Sequence, residues 1–140
     1  MKTGLAGTFP PNHSTFGEVH IWPRRPAGWE GATATLHPFA IPRTGSRLSD
    51  GGDLATFAAT VVADLRSRDP HRAYADLHAI ARPPREPVLV TDRTKVGLMF
   101  RRLVAEWLVN SILGLPPIPE MEPGALALSD ILRLDPWAAL

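Results

Sequence analysis

Five histidines carry the first chemistry that the sequence offers: His13, His20, His37, His71 and His78. Imidazole binds metals and moves protons near neutral pH, so spacing decides which of them matter. Glu18 and His20 are two residues apart and share a face if their segment is a strand, and His37 faces them if residues 32–37 form a second strand. Glu18, His20 and His37 are therefore the candidate acid–base or metal cluster. His71 and His78 fall two helical turns apart, about 10 Å, too far to share one ion. No HExxH, EF-hand loop or His-x-His pair occurs, and the absence of cysteine excludes thiolate metal sites, thiol nucleophiles and disulfides.

Other reactive constellations are weaker. No GxSxG elbow surrounds any serine, and the glycine-rich stretch from Gly45 to Gly52 lacks the lysine of a phosphate loop. It reads as a lead-in to a helix. Arg66, Arg68, His71 and Arg72 gather where two predicted helices meet, the placement of phosphate contacts in a helix-turn-helix, but Asp69 and Asp76 put repulsive charge beside them. The net charge of +1 supplies no global field for nucleic acid or an anionic membrane.

The side chains best suited to bind a partner lie near the two ends. Trp22, Arg24, Arg25 and Trp29 are interleaved with prolines that resemble preformed polyproline ligands, as do the prolines between Arg82 and Pro87. Toward the other end, Leu128, Ile131, Leu132 and Trp137 would form one apolar face of a short helix started by Ser129 and Asp130. Large aromatics outside a core are enriched at interfaces. Charge is also divided: residues 1–49 carry a surplus of three positive charges and residues 116–140 a surplus of three negative ones, so head and tail attract, within one chain or between copies.

The elements that must position these residues follow from periodicity. Of 15 prolines none lies in 43–69 or 88–115, so the packable part is the middle. Leu54, Phe57, Ala58, Val61, Val62 and Leu65 recur at helical steps after Asp53. Asp69-Pro70 supplies a cap and a first-turn proline for a second helix ending near Ala81. A third runs from Arg93 to about Leu113, with Gly114 as its stop and Arg102 and Glu106 one turn apart, able to pair. Val88-Leu89-Val90 reads as a short strand. The fold class expected is mainly α: a three-helix body over 50–115, an extended proline-rich arm over 1–49 with a short hairpin as the alternative, and a proline-rich spacer and apolar tail over 116–140.

No stretch approaches a membrane span and residues 1–15 do not read as a secretory signal, so a cytoplasmic protein or a component of an assembled particle is expected. The functional expectation is a non-enzymatic assembly subunit without a cofactor. Its arms would hold other protein subunits, as homo- or hetero-oligomer, in a larger complex; a phage-like particle is one form that this outline resembles. A small metal-dependent enzyme, an accessory subunit of an enzyme complex and a nucleic-acid-binding adaptor are the alternatives.

Overall fold

Among the described residues, three helices occupy the stretches whose apolar residues recur at three- and four-residue steps: α1, Leu54–Arg66; α2, Pro70–Ala81; and α3, Lys95–Ser111. The computed structural model of the chain describes residues 1–21, 32–33, 54–92 and 95–122. At the start of α2 the Asp69 carboxylate accepts from the backbone N–H of His71 at 3.0 Å and of Arg72 at 3.3 Å, satisfying two of the donors a helix start leaves open. Asp69→Ala is expected to cost about 1 kcal/mol, read as a shift of the urea midpoint at unchanged slope. α3 ends where Gly114 takes a φ of 82°, a conformation that side chains resist, and two prolines follow.

The strands overturn the mainly α expectation. β1 (Lys2–Leu5), β2 (Phe16–His20), β3 (Ala32–Thr33) and β4 (Glu86–Thr91) form one sheet in the order β1-β4-β2-β3, and every pairing is parallel. The fold is α/β. Lys2 pairs with Val88, Glu18 with Val88 on the other side, and Val19 with Leu89. Val19 also pairs with Ala32, in parallel, which excludes the hairpin. Val88-Leu89-Val90 is the strand that its apolar run suggests, but all three are wholly inaccessible, so β4 is covered on both faces and shows no alternation that would reveal it as the centre of a sheet. Parallel neighbours must also come from distant sequence, because a crossover has to carry the chain back.

Residues paired in register share a face of the sheet. Gly17, Val19, Ile21, Leu89 and Thr91 therefore face one way, and Glu18, His20, Val88 and Val90 the other. All three helices use the first face: Val19, Ile21 and Leu89 join one core with Val61, Leu65, Leu77, Phe100 and Leu108. The loop over 6–15 crosses the second face, where Glu18 accepts from the N–H of Gly7 at 2.8 Å and of Phe9 at 2.7 Å. Phe9, His13 and Phe16 cluster there with ring centroids 4.8 to 5.6 Å apart, and the Lys2 ammonium lies 5.1 Å from the Phe16 ring. After α3 the chain returns along the outer edge of β1, where Thr3 N–H donates to Pro119 and Met121 N–H donates to the Thr3 carbonyl. The segment expected as a proline-rich spacer thus runs beside β1, with a parallel bridge between Thr3 and Glu120.

Candidate functional site

In an open parallel sheet, ligands gather at the carboxyl ends of strands whose connections leave to opposite faces. Here β1 exits toward the 6–15 loop and its neighbour β4 exits toward α3, so this point lies between Leu5 and Thr91. The Arg101 side chain of α3 fills it, with none of its surface exposed. Its Nε donates to Glu120 at 2.7 Å, one terminal nitrogen to Thr91 Oγ1 at 2.8 Å and the Asp92 carbonyl at 3.3 Å, and the other to Glu120 at 3.2 Å and Glu122 at 2.7 Å. A guanidinium has five N–H groups, and each one here has an acceptor.

A second layer closes the cluster. Thr3 Oγ1 donates to Glu120 at 2.9 Å while accepting from Arg102 at 2.9 Å, and the Glu122 N–H donates to Glu120 at 2.9 Å. Two arginines thus balance two glutamates in a space where an unpaired charge would be costly. Burial works against ionisation of the Glu120 carboxyl, but its hydrogen bonds to Arg101, Glu122 and Thr3 together with the Arg101 charge outweigh burial and hold it below its ordinary 4.5. A carboxyl bound preferentially in its ionised form stabilises the fold fully above the unfolded pKa, and that contribution is lost as pH falls through the lower folded value. Wild-type protein is therefore expected to lose stability below pH 4.5 more steeply than Glu120→Gln, as measured by urea unfolding across pH.

The sequence-based candidates are distributed differently. Glu18 and His20 do share a face of β2, but the Glu18 carboxylate caps the 6–15 loop and His20 is fully buried beside Val90. His37, Trp22, Arg24, Arg25, Trp29, Leu128, Ile131, Leu132 and Trp137 lie outside the described residues. Among the described residues no three metal-capable side chains converge, and no helix is long and apolar enough to cross a membrane. His13 accepts through Nδ1 from the N–H of Thr15 and Phe16, closing a turn. His78 packs against Tyr74 with the rings tilted by 60° and 4.5 Å between their centres, and burial first, then the positive amino terminus, lowers its pKa against the opposing pull of Glu86.

At the basic corner, Arg68 pairs with Asp64 at 3.1 Å, and Arg66, His71 and Arg72 are exposed. The run from Arg82 to Pro87 is no free polyproline ligand. Arg85 ties the Ala81 carbonyl to that of Pro11 at 2.7 and 2.8 Å, and Glu86 and Pro87 belong to β4. Arg102 and Glu106 form no ion pair within the distance of contact. Arg102 turns instead to Thr3 and to the Ile118 carbonyl, at 2.9 and 2.7 Å.

Sequence reasoning passed over Arg101, Glu120 and Glu122, although a signal was present. Leu98, Arg101, Ala105 and Leu108 follow one another at three- and four-residue steps, so an arginine stands inside an apolar line. Such a residue is buried with its counter-charges. Glu120 and Glu122, two apart in an extended stretch, share one side and supply them. No family model, no curated protein and no solved structure matches this chain.

Proposed function

We propose that the chain is a non-enzymatic assembly subunit that makes its protein–protein contacts from the carboxyl rim of its sheet. The observation that carries this reading is the Arg101 clamp on Glu120 and Glu122. It holds the returning segment parallel to β1, so Glu122 ends at the same rim as Ile21, the residue after β2. The stretch holding Trp22, Arg24, Arg25 and Trp29 follows Ile21 directly, and the stretch holding Leu128, Ile131, Leu132 and Trp137 follows Glu122. Two segments rich in interface-type side chains therefore start from one edge of a rigid layer.

The test replaces Trp22, Trp137 or Ser14 singly with a photo-reactive phenylalanine analogue in the full chain, irradiated in its native cells. Positions 22 and 137 are expected to yield adducts to a second copy or to another protein, resolved by mass, while the exposed Ser14 yields few. If positions 22 and 137 cross-link no more than position 14, the assembly reading fails.

A further inference from the structure

The chain returning from α3 borders β1 and presents an edge of its own. Thr3 N–H donates to the Pro119 carbonyl at 3.0 Å and Met121 N–H to the Thr3 carbonyl at 2.8 Å, which makes the parallel bridge of Thr3 with Glu120. In such a bridge the residue between the two bonds turns its own N–H and C=O the other way. Those two groups of Glu120 have no partner among the described residues. They also meet solvent: the residue is half-buried although only 1% of its side chain is exposed, so its exposed surface is main chain. Along the same edge, the Ile118 carbonyl already accepts from Arg102 and the Glu122 N–H already donates to the Glu120 carboxylate. Pro117 and Pro119 fall at the alternate positions, so their missing N–H groups take nothing from this edge.

We propose that this edge pairs with the same edge of a second copy of the chain, antiparallel and about a two-fold axis through Glu120. A residue that stands opposite itself in an antiparallel ladder exchanges both of its main-chain bonds, so Glu120 needs from its partner what it offers. The next rung brings Ile118 of one copy to Glu122 of the other, and there the carbonyl of the first and the N–H of the second are the groups already satisfied within each subunit. A strand of another protein would set its own donor and acceptor against those occupied groups. The two-fold arrangement sets them against each other. Charge does not oppose it, because each Glu120 carboxylate turns back onto its own Arg101 at 2.7 and 3.2 Å. The pairing uses main-chain groups at the edge of the sheet and none of the rim segments, so it survives failure of the assembly reading.

The chain contains no cysteine, so single thiols can be placed where register decides what they meet. Chains carrying Pro119→Cys and Met121→Cys are mixed and incubated with oxidised glutathione; Pro119 is exposed and Met121 half-buried, so the fold tolerates both. In the two-fold pairing position 119 of one copy stands opposite position 121 of the other, about 4.5 Å between Cα atoms and within reach of a disulfide, whereas identical positions lie on a diagonal of about 7–8 Å. The mixture is expected to form covalent dimer at least about tenfold faster than either variant alone. Light scattering of the unmodified full chain should show a dimer with a dissociation constant on the order of 100 µM, fitting a small interface. A single-chain mass up to about 1 mM, or a mixture that cross-links no faster than its components, would overturn the proposal.

Discussion

Arg101→Ala is expected to remove about 3–5 kcal/mol of folding stability, the range for breaking a buried ion pair from one side. The loss comes less from the missing contacts than from what remains. Glu120, with 1% of its side chain exposed, would keep its charge in the interior with hydrogen bonds from only Thr3 and a backbone N–H and no cation but Arg102 nearby. Thr91 Oγ1 would lose its donor, and Glu122 its partner. Urea unfolding followed by circular dichroism checks the magnitude. The paired change Arg101→Met with Glu120→Gln should recover much of the loss, because the orphaned charge is then gone. A loss under about 1 kcal/mol for Arg101→Ala would show the cluster to be a solvated surface network, for which values of that size are usual.

Gly17→Val is expected to be the other severe substitution, at about 3 kcal/mol, the upper part of the range for overfilling a packed interior. A Cβ at Gly17 would stand 2.7 Å from the Ala81 carbonyl oxygen and 3.2 Å from its Cα. Those are backbone atoms of the last residue of α2, so no side chain can turn aside and the helix itself must retreat from β2. Alanine introduces the same clash with less bulk and should fall between wild type and valine. Melting temperatures in the order glycine, alanine, valine test this, and an alanine variant as stable as wild type would mean that α2 does not rest on β2 at Gly17.

The helices were legible because their signal is local: Val61, Val62 and Leu65 repeat within a dozen residues, and Asp69 announces α2 beside a proline. The sheet was not. β2 showed its alternation in Val19 and His20 with Ile21, yet its main neighbour is β4, which lies far along the chain and reads only as a continuous apolar run. β1 contains Gly4 among four residues and has too little pattern to be recognised. Stretches that look like arms because prolines interrupt their period became strands when a distant partner supplied the hydrogen bonds. The Arg101 cluster was half legible: the arginine breaks an apolar line, but its glutamates sit among prolines, where an extended strand and a free spacer have the same composition.

The pairing of Lys2 with Val88 also dictates an order of events during synthesis. β1 and β2 leave the ribosome long before β4 exists, and each waits for the same late strand to stand between them. Nascent chains that have not yet produced Thr91 hold two unmatched edges, and those that stop short of Glu120 hold a cationic Arg101 without either of its two anions. Long-range pairing of this kind slows folding and lengthens exposure to aggregation. Translation speed across the second half of the message, and chaperones that shield the emerging first strands, should therefore govern the yield of folded protein more than the stability of any one helix does.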